Sequence, residues 1–155
     1  MIEEAVFFET SPEDSSGYLL WQITMLWQRK IKHELDNINL THTQFVLLAT
    51  TAWLSKSNKV ITQIDVANKS KTDRMMVSKV LRNLQSKGYL DRTEHTTDTR
   101  AKNLSLTIKG NKILNLALKI VKKVDDDFFS VLEPKVQPFN TYLLELMHKN
   151  EQYPQ

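Results

Sequence analysis

Apolar residues recur every three or four positions along most of the chain, and this spacing predicts a mainly helical fold. A first apolar stripe covers residues 19–35 and follows a helix-start cluster at residues 11–15. Thr41 and Gln44 then have the spacing of a capping box, in which two side chains satisfy backbone N–H groups at a helix start. Residues 45–53 continue this second helix with one apolar face.

Two shorter helices are predicted next. Thr62 and Asp65 repeat the capping-box spacing and open a helix that we expect to extend through Ala67. Thr72 or Asp73 caps the following helix, because short oxygen-bearing side chains favour that position. The apolar stripe of this fourth helix comprises Val77, Val80, Leu81 and Leu84.

A pair of short strands follows the fourth helix, which Gly88 ends. Residues 89–94 and 102–107 alternate between apolar and polar positions as half-buried strands do. Residues 95–101 join them and are too polar to be buried. The segment of residues 60–61 is too short to form more than one edge strand.

The C-terminal part of the chain is predicted to be two helices. A long helical pattern covers residues 108–132, and Pro134 and Pro138 break it. Residues 139–147 form a last amphipathic helix. The fold class is therefore mainly α with a small β-ribbon.

The central order, two short helices and then a two-stranded ribbon, predicts a winged helix-turn-helix lobe over residues 40–107. The second helix of such a pair can lie in the major groove of DNA because its inner stripe packs on the first. The ribbon then extends along the phosphate backbone.

Composition excludes several classes of protein. The 155 residues fit a single domain, 1–155, and no apolar run approaches the roughly 18 residues of a membrane span. The acidic N-terminus lacks the basic flank of a signal peptide, so we expect a cytoplasmic protein with no membrane partner. The chain has no cysteine, which excludes disulfides and thiolate metal sites.

The candidate chemistry argues against an enzyme. No nucleophilic triad, glycine-rich phosphate loop or pair of carboxylates is evident, so we expect no catalytic residues and no cofactor. None of the four histidines forms a familiar ligand motif, and we expect no metal site. His33 and Glu34 could still converge with His42 in the fold.

Charge is concentrated in the middle of the chain. Residues 67–112 hold eleven Lys and Arg against four Asp and Glu, a net charge of +7 within a chain of +3 overall. A solvated surface would explain a charge run by itself. A basic centre that coincides with a helix-turn-helix pattern favours a polyanion as partner.

At this point the sequence resembles the MarR family of bacterial transcriptional regulators. About 70 residues carry the resemblance, in four blocks that have the family's order and spacing. The blocks are Leu40-Thr41-x-x-Gln44-Phe45-x-x-Leu48, Val77-Ser78-Lys79-Val80-x-x-x-Leu84-x-x-x-Gly88-Tyr89-Leu90-x-Arg92, Asp98-x-Arg100 and Leu106-Thr107-x-x-Gly110.

The resemblance implies a homodimer that binds double-stranded DNA, usually as a repressor. Residues 14–36 and 108–150 would be the dimerisation helices. Each protomer would carry one lobe, residues 40–107, attached to them. The apolar pairs at residues 7–8 and 128–129 agree with this arrangement, because they need burial that one small lobe does not supply.

The recognition helix supplies one set of candidate DNA contacts. Arg74 could bind guanine O6 and N7, and Met75 could touch a thymine methyl group. Ser78 and Lys79 suit phosphate oxygens. The full set is Lys71, Thr72, Asp73, Arg74, Met75, Ser78, Lys79 and Arg82.

The wing supplies a second set, Asp98, Arg100 and Lys102. In the family, the arginine at the position of Arg100 enters the minor groove, and the aspartate two residues earlier orients it. A narrow minor groove concentrates negative potential, which favours an arginine there. A surface ion pair is the alternative. The threonine-rich sequence around Asp98 is less basic than the wings of many relatives.

The family resemblance also implies a small aromatic or anionic effector that binds between the dimer interface and the lobe. Trp21, Met25 and Trp53 could line such a cleft, although aromatics at helical spacing also serve as ordinary core. The alternative function is a winged-helix dimer that has lost DNA binding and acts as a protein-interaction module.

We predict that Arg100→Ala weakens operator binding by about tenfold or more, the loss expected when a charged hydrogen-bonding group is removed. The dimer and its melting temperature should remain almost unchanged. Gel-shift titration measures the affinity, and equal binding by the variant would exclude this role for Arg100.

Overall fold

The structure is a computed structural model that describes residues 11–57, 60–94 and 102–151. A mainly helical chain with a small antiparallel ribbon is confirmed. The elements are α1 (Ser16–Asp36), α2 (His42–Leu54), α3 (Gln63–Ser70), α4 (Arg74–Ser86), β1 (Leu90–Glu94), β2 (Lys102–Leu106), α5 (Ile108–Phe129) and α6 (Val136–Asn150).

Both predicted capping boxes form. Thr41 Oγ1 accepts a hydrogen bond from Gln44 N, and Gln44 Oε1 accepts one from Thr41 N at 3.0 Å. Thr62 and Asp65 repeat the arrangement at the start of α3, where Thr62 N donates to Asp65 Oδ2 at 2.8 Å. These side chains fix where α2 and α3 begin, because they satisfy N–H groups that have no partner inside the helix.

The structure differs from the sequence prediction at two places, the end of α3 and residues 60–61, which precede this helix. The helix extends to Ser70, past Ala67, and ends where Lys71 adopts a left-handed backbone with φ of 53°. Residues 60–61 form no strand. Ile61 O accepts from Leu104 N at 2.8 Å, but Ile61 N donates to the Asn103 side chain, which replaces the second bond of a strand ladder.

Pro138 also departs from its prediction as a helix breaker, because it is the third residue of α6. The first four N–H groups of a helix have no partner within it, so a proline there removes no hydrogen bond. Pro134 does lie between the helices, in the segment that follows a short 3₁₀ turn at Ser130–Leu132.

The core of the lobe is formed by the inner faces of α2, α3, α4 and the ribbon. Leu48, Val66, Val77 and Leu81 are fully buried. In the ribbon Leu90 pairs with Leu106 and Arg92 with Leu104, so these four residues share one face. Leu104 and Leu106 therefore share the inner face, as predicted, and Leu90 and Leu104 are buried there.

The junction between α4, the ribbon and α5 is held by Thr107. Its hydroxyl donates to Gly88 O at 2.7 Å and accepts from Gly110 N at 2.9 Å, and its N–H donates to Tyr89 O. Gly88 has φ of 72°, and the N–H groups of Gly88 and Tyr89 close the end of α4 by bonding Gln85 O and Leu84 O. This arrangement gives the Leu-Thr-x-x-Gly motif a structural role.

Two compact units divide the chain, one up to Val121 and one from Lys122. In the second unit the rings of Phe128 and Phe129 meet edge to face at 5.1 Å, and Phe129 lies 6.0 Å from Phe139. The division into dimerisation helices and lobe stays a prediction. Among the described residues, no helix combines the length and apolar character needed to span a membrane.

We predict that Gly110→Ala destabilises the protein by about 3 kcal/mol, at the upper end of the usual cost of forcing a side chain into packed structure. A Cβ at position 110 would lie 1.9 Å from Tyr89 O, and a backbone atom cannot rotate away. Urea denaturation measures the change.

Gly17→Ala is the matched control, because a Cβ at Gly17 meets nothing within 4 Å. Its stability should be unchanged or raised by up to about 1 kcal/mol. Equal effects of the two substitutions would contradict the packing assigned to Gly110.

Candidate nucleic-acid interface

The turn before α4 sets the direction of the predicted recognition helix. Thr72 N donates to Ala67 O at 3.1 Å, just after the left-handed residue Lys71. Asp73 then caps α4, and its Oδ1 accepts from Met75 N at 2.9 Å and Met76 N at 3.0 Å. Of the two capping residues that the sequence allowed, Asp73 is the one used.

One face of α4 is buried and the other is open. Val77, Leu81 and Leu84 are inaccessible to solvent, whereas Val80 is half-buried. The structure places all eight predicted residues on α4 or in the turn before it. Thr72 and Ser78 are half-buried, and the others are exposed, namely Lys71, Asp73, Arg74, Met75, Lys79 and Arg82.

The outer face of α4 is cationic. Arg74, Lys79 and Arg82 are exposed and make no hydrogen bond or ion pair with any described residue. Asp73 is the nearest carboxylate in sequence, and its oxygen is engaged with backbone N–H groups. The three cations are thus available to an external anion. Met75, with 82% of its surface exposed, adds an apolar contact among them.

A polar network behind α4 was not evident from the sequence. The buried Gln44 donates from Nε2 to Asn83 Oδ1 at 2.6 Å, and its Oε1 accepts from Lys87 Nζ at 3.2 Å. Lys87 Nζ also donates to Asn39 O at 2.9 Å. The capping-box spacing identified Gln44, but nothing in the sequence identified its partners on α4. The network fixes α4 to the start of α2.

The ribbon is attached to the lobe through its inner end. Leu104 and Asn103 bond Ile61, as described above, and Arg92 Nη2 lies 3.4 Å from Gln63 Oε1. Asp98 and Arg100 lie outside the described residues. Lys102 begins β2, but its side chain also lies outside them. The wing contacts therefore stay predictions.

The three residues proposed for an effector cleft are exposed. Trp21 and Met25 lie one helical turn apart on α1, and Trp53 lies on α2 with Lys69 Nζ 4.1 Å from its ring centroid. Neither of two cavities found on the lobe is lined by any of the three. The cleft stays a prediction.

His33 and His42 have ordinary partners in the part of the chain that the structure describes. His33 Nδ1 lies 3.1 Å from Glu34 Oε1, whereas the His42 ring packs between those of Trp27 and Phe45. His33 and His42 therefore have separate surroundings. No group of three or more possible metal ligands occurs among the described residues.

Comparison with known proteins identifies a winged-helix region in the central part of the chain. The profile of ArnR1-like winged-helix domains matches residues 36–125. The chain is 41% identical over 138 residues to the uncharacterised HTH-type transcriptional regulator YdcH of Bacillus subtilis (strain 168), covering 89% of this chain and 93% of YdcH.

Solved structures share the fold. The MepR–DNA complex of S. aureus matches with a TM-score of 0.76 and 26% identity, over 87% of this chain and 98% of MepR. The MarR family protein Rv2887 of Mycobacterium tuberculosis, in complex with salicylic acid, matches with a TM-score of 0.64 and 23% identity, over 86% and 96% of the two chains.

We predict that Asp73→Ala lowers the free energy of unfolding by about 1 kcal/mol, because it removes the cap of α4. Asp73→Asn should retain the stability, since its amide oxygen accepts the same bonds. Thermal denaturation of both variants checks this, and an equal loss in both would show that the carboxylate charge and not the cap stabilises α4.

Proposed function

We propose that this chain, which belongs to the MarR family of winged helix-turn-helix transcription regulators, binds double-stranded DNA as a homodimer and represses transcription. The family is one of regulators and not of enzymes. One observation carries the proposal: the exposed cations of α4 have no partner within the described chain, and the helix that bears them is fixed from behind.

The recognition helix α4 enters the major groove in this proposal. Arg74 lies in the first turn, where residues of such a helix approach the base edges, and its planar guanidinium matches guanine O6 and N7. Met75 contacts a thymine methyl group. Lys79 and Arg82 lie farther along the helix and bind phosphate, which positions the helix without reading sequence.

The wing makes the second contact. We assign Arg100 to the minor groove, Asp98 to the orientation of its guanidinium, and Lys102 to phosphate. The support is the position of the ribbon, which begins at Leu90, shortly after α4 ends at Ser86, and is bonded to Ile61 just before α3. The strands of the ribbon and α4 therefore belong to the same lobe.

The dimer is supported by exposed apolar surface on two helices. In α1, Leu20 and Trp21 are more than half exposed, at 54% and 58%. In α6, all of whose residues the structure describes, none is buried, and Tyr142 and Leu146 are exposed at 65% and 58%. Such surface gains about 25 cal/mol for each Å² removed from water, which favours association with a second copy.

An effector is part of the proposal. The relative Rv2887 was solved with salicylic acid, and a small aromatic or anionic molecule suits the exposed Trp21, Met25 and Trp53 of this chain. Binding there would release the protein from DNA by changing the separation of the two recognition helices, which must lie about one duplex turn apart.

The proposal is tested by selecting fragmented genomic DNA with the purified protein and sequencing what is retained. Enrichment of fragments that share one inverted repeat is the expected result. If no sequence is enriched over the input, the chain does not recognise DNA specifically, and the protein-interaction module becomes the better account.

We predict that affinity for a selected fragment falls steeply with salt, because counterions are released at each neutralised phosphate. Lys79→Ala should reduce the slope of log K against log salt by about 1 for each phosphate that the lysine no longer neutralises, hence by about 2 for a dimer. Fluorescence anisotropy at several salt concentrations measures the slope.

Lys119→Ala is the control for this experiment, because Lys119 is also an exposed lysine, on α5 and outside the assigned surface. For this variant the slope of log K against log salt should equal that of the unmodified protein. A flat salt dependence, or the same change in both variants, would exclude the phosphate contact assigned to Lys79.

A further inference from the structure

The first turn of α4 carries two adjacent methionines that are open to solvent. Met75 exposes 82% of its surface, the largest fraction among the described methionines, and Met76 is half exposed. Met25 and Met147 expose 37% and 54%, and they lie on α1 and α6, the helices assigned to the proposed dimer. The chain contains no cysteine, so thioether groups are its only sulfur atoms. Met75 is therefore the most accessible oxidisable sulfur that the structure describes.

The surroundings of Met75 are cationic. Side chains three, four and seven positions apart lie along one face of a helix, so Met75 shares its face with Ser78, Lys79 and Arg82. Lys79 and Arg82 are exposed and make no ion pair with any described residue. The Asp73 carboxylate accepts hydrogen bonds from the N–H groups of the first turn. A positively charged face raises the local concentration of small anions, including hypochlorite, the conjugate base of hypochlorous acid.

We propose that Met75 is a reversible oxidation site, that hypochlorous acid is its oxidant, and that oxidation releases the protein from DNA. In the net reaction one S–O bond forms and the O–Cl bond breaks. The thioether sulfur is oxidised by two electrons to a sulfoxide, while the chlorine leaves as chloride and one proton is released. Methionine sulfoxide reductases restore the thioether. The effect on DNA rests on the proposed function, whereas the oxidation itself does not.

Oxidation removes the apolar contact that the proposed function assigns to Met75. A sulfoxide is polar and chiral, and a thymine methyl group offers its oxygen no hydrogen-bond donor. The new oxygen also lies beside Lys79, one helical turn away, and competes with DNA phosphate for the lysine ammonium group. Both effects weaken DNA binding. The fold is retained, because the Met75 side chain projects into solvent and not into the core.

The oxidation site is tested on the full chain without DNA. The protein is treated with increasing doses of hypochlorous acid, quenched with free methionine and digested, and the sulfoxide at each position is measured by peptide mass spectrometry. Met75 should be half converted at a dose at least about twofold lower than Met25 or Met147, because susceptibility follows exposure. A mixture of the two stereospecific reductases should reverse the change. Equal or faster oxidation of Met25 or Met147 overturns the assignment.

The effect on DNA is tested by fluorescence anisotropy with a selected fragment. Oxidation should weaken the affinity of the unmodified chain at least about tenfold, and reductase treatment should restore it. Met75→Leu has no sulfur at this position, so its affinity after treatment should equal its own affinity before treatment. Met147→Leu is the matched control and should show the same loss on oxidation as the unmodified chain.

The two parts of the proposal fail separately. Unchanged DNA affinity after oxidation of Met75, or a loss that persists in Met75→Leu, overturns the release from DNA. If the chain selects no DNA but Met75 is oxidised first and restored by the reductases, the proposed function fails and the oxidation site stands. Circular dichroism of the oxidised chain and of each variant verifies that it folds.

Discussion

The hydroxyl group of Thr107 joins the end of α4 to the first turn of α5, at the base of the ribbon. It donates to Gly88 O, at the end of α4, and accepts from Gly110 N, in the first turn of α5. Gly110 permits this because a side chain there would overlap Tyr89 O. The end of the recognition helix, the base of the ribbon and the start of α5 are therefore fixed at one point.

This junction has a mechanical consequence for the proposed dimer. Thr107 immediately precedes α5 and donates directly to Gly88 O and Tyr89 O, so a displacement of the start of α5 must either strain these bonds or move Gly88 and Tyr89 with it. The Gln44 network separately attaches Asn83 and Lys87 to the α1–α2 corner. The C-terminal end of α4 is therefore bonded both to Thr107, just before α5, and to the α1–α2 corner.

Local features of the fold were predictable from the sequence, because they depend on residues three or four positions apart. The capping pairs Thr41–Gln44 and Thr62–Asp65, the inner stripe of α4 and Gly88 belong to this class. The end of α3 was missed because a lysine, Lys71, adopts the left-handed conformation that glycine usually provides. The Ile61–Asn103 bond was missed because its partners are 42 residues apart.

For the candidate site, too, local features could be predicted from the sequence, whereas contacts between distant residues could not. Helical periodicity predicted which residues of α4 face outward, and Arg74, Met75, Lys79 and Arg82 are exposed, whereas Ser78 is half-buried. That Arg74, Lys79 and Arg82 lack partners within the described chain could not be read from sequence, since an ion pair with a distant carboxylate was equally compatible with it. The cation–π contact of Lys69 with Trp53 was missed for the same reason, because it joins two helices.

Hydroxyl-radical footprinting on a selected DNA fragment tests the central claim most directly, that two copies present α4 to one duplex. The account predicts two symmetric protected segments on one face of the duplex, with centres about 10 base pairs, or one duplex turn, apart. Protection of one segment by a monomer, or uniform protection without a repeat, would contradict it.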